Sequence, residues 1–500
     1  MFARIYTSAR VGFHATLISA EAELLPGLPN VSVIGLPDHS LRESRDRIRS
    51  AVHNSGFRFP ARNIVINLAP NDTPKEGGLI EAAMAVAVLV SSGQLPQEAF
   101  AGTAILGALS LDGSLVAARG IFASAIFAAG NQQIRRLIVP EQVAGSLTVP
   151  EGTEVYAIRT LGELPLYCSG GMTPRSGLKY EPNYEHTEIA IEHIFGLGVA
   201  KRALAIAAVG RHHVLMAGSP GTGKSLLARA YRHILPPLNF TEAAEVTRIW
   251  SLAGLTQSEL VTTRPFRSPH HTTSTPALVG GSSNATPGEI SFAHHGTLFL
   301  DELPEFRNEA LQSLREPLEE QTITVSRARG HITYPADFQL IAAANPCRCG
   351  LLFSEAERCT CPKRTSFAQF NKIVGPFLDR VAIELNHNDL PEIIFASHEM
   401  TTESLRQRIA AAWQRSRYDN GGPLNRDADA QLVYKFFAAL KPHRLYESFA
   451  AAERLSMRSW LNVLRVAKSI ADLEDEPPGE QHLYEALRYR FVRKWMARAA

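Results

Sequence analysis

The pattern of apolar and polar positions divides the chain into three stretches. In residues 1–165 the patterns are mixed. Leu41–His53 carries the Arg- and Glu-rich polar face of a helix, closed by Asn54-Ser55-Gly56. Asn63–Leu68 alternates β-branched and polar residues and predicts a strand. Ala82–Val90 is a continuous apolar run, helix or strand, which periodicity does not separate. Arg136–Pro140 predicts another short strand. Leu166–His186 has no period and is rich in Gly, Pro, Ser and Tyr, so it reads as a linker. From Thr187 the pattern is α/β: a helix over Val199–Ala208, a strand over His213–Ala217, and a helix over Lys224–Leu235 ended by Pro236-Pro237. Thr297–Leu300 and Phe338–Ala344 predict two further strands, and Gln321–Tyr334 alternates like a hairpin with Arg-Gly at its tip. From about Pro391 the chain reads as helical through Arg498. The expected division is 1–165, a linker at 166–187, an α/β core over 188–392 and a helical domain over 393–500.

Composition changes this picture at few points. The longest apolar run, Ala82–Val90, is far below the roughly 20 residues a membrane span needs, so no membrane partner is expected. The N-terminus has no long apolar core, so no signal peptide is expected. Net charge is +2 overall, while residues 401–500 hold 17 basic and 12 acidic residues, a local +5. That end carries Arg488, Arg490, Arg493, Lys494 and Arg498, which would add salt-dependent affinity for a polyanion. Of five cysteines, four lie between residues 347 and 361. That spacing suits a metal site rather than a disulfide framework, and fits a reducing cytoplasm.

The strongest chemical signal is Gly218-Ser219-Pro220-Gly221-Thr222-Gly223-Lys224-Ser225, set between a predicted strand and a predicted helix. Small residues let backbone N–H groups ring a polyphosphate. Lys224 would reach the β- and γ-phosphates of ATP, Ser225 would hold Mg²⁺, and the following helix would point its positive end at the anion. A glycine-rich αβ turn without a ligand is the alternative. The apolar strand Thr297–Leu300 ends in Asp301-Glu302. A carboxylate there, beside a phosphate loop, belongs to the Mg²⁺ site, and Glu302 could activate the attacking water. Asn345, closing the next strand, could position that water or simply start a turn before Pro346.

Phosphate loop, Asp-Glu strand and strand-end Asn occur here in the order found in AAA+ ATPases. RPFRSPHHT (264–272), GEISFAHHGTLFLDELPEF (288–306), YPADFQLIAAANPCRCG (334–350) and GPFLDR (375–380) resemble the magnesium-chelatase-like branch of that superfamily, and within it the ComM/YifB family. VIGLPDHSLRESRDRIRSA (33–51), NLAPNDTPKEG (67–77) and LGALSLDGSL (106–115) resemble the same family's N-terminal domain. The resemblance implies an AAA+ P-loop core with an α-helical C-terminal lid, preceded by a Lon-protease-like α+β domain of the ribosomal-S5-like fold. It implies a homohexameric ring that hydrolyses ATP with Mg²⁺ and translocates on single-stranded and branched DNA as a branch-migration helicase in natural transformation. A magnesium-chelatase-type motor and a protein-remodelling motor are the alternatives.

The resemblance also implies residue roles. Arg380 looks like an arginine finger donated to a neighbour's ATP. Arg458 looks like the sensor-2 arginine of the lid, although Arg454, Arg458 and Arg465 also share one helix stripe that could face solvent. Pro265–Pro287 would be an insertion within the second AAA+ helix. The 321–334 hairpin would point into the pore, where Arg327, Arg329 and His331 could touch DNA phosphates, a solvated tip being the competing reading. Cys347, Cys349, Cys359 and Cys361 suit a tetrahedral Zn²⁺, with buried reduced thiols as the alternative. TPKEGG (73–78) lies where Lon proteases carry their nucleophilic Ser, but Leu79 and Ile80 follow it. Arg119-Gly120-Ile121-Phe122 supplies no Lys where the dyad Lys is expected. A Ser without a base is inert, so no peptidase activity is expected.

Overall fold

The computed structural model describes residues 2–11, 14–35, 38–70, 78–118, 120–150, 152–176, 180–256, 260–281, 286–327, 330–353, 359–362, 370, 372–373, 377–388, 400–419, 423–440, 446 and 455–492. They group into two compact units, Met1–Pro182 with Asn239–Thr262, and Asn183–Leu238 with Thr263–Ala500.

The first unit is built on β1 (Phe2–Val11), β2 (His14–Leu25), β3 (Asn30–Ile34), β4 (Asn63–Ala69), β5 (Thr103–Ile105), the short pair β6 (Ala108–Leu109) and β7 (Leu115–Val116), β8 (Arg136–Pro140), β9 (Glu154–Ile158) and β10 (Arg175–Ser176). Eight of these form one mixed sheet in the order β10-β9-β8-β5-β1-β2-β4-β3. The alternation in β4 buries Ile64, Ile66 and Leu68. The ambiguous apolar run is a helix, Glu81–Ser91, and every residue of it is buried. Burial on all sides removes the polar face that would have marked a helical period.

Two segments lie elsewhere than expected. Residues 166–176 do not form a linker: Leu164–Cys168 is helical and β10 pairs with β9. Asn239–Thr262 leaves the α/β core and packs in the first unit, where Phe240, Ala244 and Leu260 join the apolar cluster around the helix Ile121–Ala129. Its helix Phe240–Ala253 opens on a capping box: Asn239 Oδ1 accepts from the Glu242 N–H at 2.9 Å, and the Asn239 N–H donates to Glu242 Oε2 at 3.0 Å.

The second unit contains a five-stranded sheet in the order β12-β13-β16-β11-β17. Its strands are β11 (Val214–Ala217), β12 (Phe266–Arg267), β13 (Thr297–Leu300), β16 (Gln339–Ala344) and β17 (Ile383–Asn386), all parallel. β11, β13 and β16 are fully buried, which is why they read as unbroken apolar runs. The insertion expected at Pro265–Pro287 is corrected here: it begins as β12, a strand of this sheet, because Phe266 and Arg267 pair with Thr297 and Leu298. β14 (Thr322–Arg327) and β15 (Gly330–Pro335) form the expected hairpin, with Arg327 opposite Gly330.

The helices Thr402–Asp419, Ala430–Phe436, Met457–Glu474 and Glu480–Arg488 follow. They share one apolar core with the α/β sheet: Trp413, Phe437, Trp460 and Ile470 cluster with Ala203, Val214 and Ile383. Trp413 Nε1 donates to the Ala208 carbonyl at 2.9 Å, tying the first of these helices to Gly198–Gly210. No described helix is long and apolar enough to cross a membrane.

Candidate nucleotide site

Because the five strands are parallel and in register, their C-terminal ends lie side by side. β11 runs directly into Gly218, β13 into Asp301 and β16 into Asn345. Gly221 and Gly223 hold φ of +81° and +85°, which a residue with a Cβ rarely adopts. They let the chain coil before the helix Lys224–Tyr231 begins. Lys224 is buried and its Nζ donates to the Gly218 and Ser219 carbonyls at 2.9 and 2.6 Å. Burial draws its amine down to about 8. Ser225 Oγ donates to Asp301 Oδ2 at 2.6 Å. Leu197 packs against Gly223, a neighbour that no motif marked.

Glu302 lies beyond β13 in the left-handed region, φ +52°, a strained position of the kind that functional sites retain. Its carboxylate meets His271 Nδ1 at 2.9 Å. His271 lies against His270, ring centroids 4.1 Å apart and tilted by 35°, on the loop after β12. The histidines were visible in RPFRSPHHT, but nothing in that motif tied them to Glu302. Asn345 is half-buried just past β16.

Arg380 and Arg458 lie at the other end of the sheet. Arg380 closes the turn Leu378–Arg380, which precedes β17. β17 pairs with β11 from Val214↔Ile383 to Ala217↔Asn386. The strand length alone, roughly 13 Å at about 3.3 Å per residue, therefore separates Arg380 from the phosphate loop of its own chain. Arg380 Nη2 bonds Glu319 Oε1 at 2.8 Å, and Arg458 Nη1 bonds the same oxygen. Burial would raise the Glu319 carboxyl, but hydrogen bonds from Arg458 and Arg380 outweigh it and hold the group below its ordinary value. A cavity of about 580 Å³ opens here, lined by His213, Glu319, Arg380, Arg426, Arg458 and Arg465. Arg465 is not part of a solvent-facing stripe: its guanidinium donates to the Ala428 carbonyl at 2.6 and 3.0 Å.

Sequence comparison identifies the architecture that holds these groups. Models of the magnesium chelatase subunit ChlI match residues 190–393, its C-terminal region matches 399–490, and a further model of subunit ChlI of Mg-chelatase matches 20–143. YifB of Salmonella typhimurium is 39% identical over 98% of this chain and 97% of its own length. Competence protein ComM of Haemophilus influenzae is 36% identical over 97% of each chain. The chain belongs to the ComM/YifB family of magnesium-chelatase-like proteins. The magnesium-chelatase 67 kDa subunit of Heliobacterium mobile is 30% identical over only 33% of this chain. Membership makes this ComM/YifB-family protein an AAA+-type ATPase that uses ATP and Mg²⁺.

The remaining predicted residues of this family member fall as follows. Sγ atoms of Cys347, Cys349, Cys359 and Cys361 all lie within 4.8 Å of one another. Their Sγ–Sγ separations are 3.3 Å for Cys347–Cys349, 3.6 Å for Cys347–Cys359 and 3.5 Å for Cys349–Cys359. Burial pushes the Cys347 thiol up, while the Leu351 backbone N–H draws Cys349 down to about 6. The backbone of Arg327 and His331 lies in the hairpin strands; Arg329 and the side chains of Arg327 and His331 fall outside what the structure describes. Arg490 is corrected as a candidate for polyanion contact. It is 1% exposed, and its guanidinium bonds Glu384 and the Val381 carbonyl. Arg488 is exposed, and residues 493–500 lie outside the described residues. Leu79 and Ile80 are buried apolar residues; 71–77 and Arg119 lie outside the described set.

Proposed function

We propose that the protein is one subunit of a homohexameric ring that hydrolyses ATP between neighbouring copies and uses the cycle to move along single-stranded and branched DNA, driving branch migration. The observation that carries the ring is the division of charged groups between the two ends of one sheet. Lys224, Ser225 and Asp301 gather at one end and Arg380 with Arg458 at the other, with the length of the strands between them. A second copy would bring the missing end to each ATP.

The phosphate-loop residues fit the nucleotide and its metal. Lys224 is held by backbone carbonyls, which phosphate oxygens can replace, and a hydroxyl with a carboxylate is the hard oxygen set that Mg²⁺ prefers. Ser225 and Asp301 would hold that ion, which supplies charge neutralisation as the γ-phosphoryl transfers. The backbone N–H groups of 221–225 orient the polyphosphate, since Pro220 has none and those of Gly218 and Ser219 are taken by the Ala344 carbonyl and Asn388 Oδ1. Glu302 takes the proton of the attacking water and Asn345 orients that water. A neighbour's Arg380 and Arg458 offset the charge that develops on the transferred group. The 322–335 hairpin would face the pore and bring Arg327, Arg329 and His331 to DNA phosphates. In this reading the first unit, with its Lon-like fold and no nucleophile at Leu79 or Ile80, serves assembly or DNA engagement, and the helices beyond residue 393 form the lid.

The four cysteines would hold a structural Zn²⁺. Tetrahedral Zn–S bonds of about 2.3 Å set sulfurs about 3.8 Å apart, close to the separations present here. Reduced thiolates of this kind fit a cytoplasmic protein.

The test is strand displacement on forked and three-strand DNA with ATP. We expect turnover stimulated by DNA and abolished in Lys224→Ala. ATPase activity indifferent to every DNA structure would overturn the DNA reading. It would favour the second reading, a magnesium-chelatase-type motor, which all three matching family descriptions support.

A further inference from the structure

The thiol cluster touches the nucleotide site through a chain of contacts that neither motif foretold. Cys347–Gly350 is a tight turn, closed by the Gly350 N–H donating to the Cys347 carbonyl at 3.0 Å. Gly350 holds φ +78°, and a Cβ built there would lie 2.3 Å from Ser219 Cα. The turn therefore rests backbone-to-backbone on the phosphate loop, which only glycine permits. Asn388 joins the two. Its Nδ2 donates to the Gly350 carbonyl at 2.8 Å, and its Oδ1 accepts the Ser219 N–H at 2.8 Å. Asn386, at the end of β17, donates through Nδ2 to the Phe353 carbonyl at 3.0 Å and accepts the Asn388 N–H at 3.3 Å. Between them, His387 is buried against Gly218, whose Cβ would lie 2.7 Å from that of His387. Residues 386–388 thus grip the thiol turn on one side and the first two residues of the phosphate loop on the other.

We infer that the thiol cluster and residues 386–388 form one brace on the phosphate loop, so that a metal held by Cys347, Cys349, Cys359 and Cys361 sets how tightly the loop binds nucleotide. The inference rests on the zinc reading above. Two of the four metal–sulfur bonds would fix Cys347 and Cys349, and these fix the turn that carries Gly350. Thiols alone are weak hydrogen-bonding groups and leave that turn free to shift. A shift of Gly350 passes to Ser219 through the Asn388 amide and through direct backbone contact, because close-packed interiors transmit strain. Asn388 is a positioning residue: it touches no substrate and acts through Ser219.

The experiment uses the full-length protein, with zinc per chain measured by metal analysis and affinity measured with a fluorescent ATP analogue. Wild type should carry one zinc per chain. Cys359→Ser should lose the metal and bind the analogue about tenfold more weakly. Asn388→Ala should keep its zinc and still bind about tenfold more weakly, because its side-chain bonds to Ser219 and Gly350 are lost. The double variant should be no worse than the weaker single, because the two changes break one brace. Wild type free of zinc under non-chelating conditions would overturn the zinc reading and this inference with it. Zinc present, with Asn388→Ala binding nucleotide like wild type, leaves the metal site standing and overturns only the coupling. Should Cys359→Ser fail to fold, Asn388→Ala decides the question alone, its fold checked by an unchanged thermal midpoint.

Discussion

The two ends of the five-stranded sheet satisfy their charged groups in opposite ways. At the C-terminal end Lys224 is partnered by backbone carbonyls, which phosphate oxygens could replace, and Ser225 by Asp301. At the N-terminal end the partner of both Arg380 and Arg458 is one carboxylate, Glu319, an anion that competes with any phosphate a neighbour would bring. The first end is open to its ligand in a lone chain. The second is electrostatically closed until something displaces Glu319. The phosphate-loop groups and the two arginines thus stand about one strand length apart on a single sheet.

The sharpest way to break this comparison is Arg380→Ala. Arginine fingers contribute roughly 10³–10⁵ in turnover, so hydrolysis should fall by at least about a hundredfold. Affinity for ATP should stay within about threefold, because Arg380 is at the far end of the strands. Mixing this variant with Lys224→Ala should restore part of the activity, since the Lys224→Ala subunit lends its Arg380 to an intact phosphate loop. Loss of ATP binding as severe as in Lys224→Ala, or no recovery on mixing, would show that the two ends are not divided between neighbours.

A smaller effect is expected at the phosphate end. His271 holds the Glu302 carboxylate at 2.9 Å, away from a purely solvent-facing position. His271→Ala should release it and raise turnover without DNA by about threefold, in steady-state phosphate release. A drop of about a hundredfold would instead make His271 part of the chemical step, and the phosphate end would then contain a group the motifs never marked.

What the sequence made legible follows the same division. The place of Gly218 to Ser225 between a strand and a helix was legible because the motif sits in consecutive positions after an apolar run. The place of Asp301 and Glu302 at a strand end was legible because a buried parallel strand reads as a short apolar run. The contacts that join distant segments were not legible. Nothing local pairs His271 with Glu302, Asn388 with Gly350, or Glu319 with two arginines; Glu319 stands among Glu316 and Glu320 with no distinguishing mark. No pattern in the sequence said that the helix Phe240–Ala253 packs outside the core. Arg490 looked like a free basic tail because its partner, Glu384, lies on a strand far back in the chain.

The smallest effect sharpens the comparison most, because it tests whether Glu319 competes or positions. Glu319 is about one-third exposed and Arg458 about half, so screening limits their pairing. Ion pairs of this kind are worth up to about 1 kcal/mol, equivalent to about fivefold in an equilibrium. Glu319→Gln keeps the shape and removes the charge. If the carboxylate competes with a neighbour's phosphate, assembly in the presence of a non-hydrolysable ATP analogue should occur at about threefold lower protein concentration, read by sedimentation velocity. The advantage should shrink as salt rises and screens the pair. If assembly weakens instead, Glu319 holds the two guanidinium groups in place for the neighbour. The arginine end would then be preassembled, like the phosphate end, rather than closed.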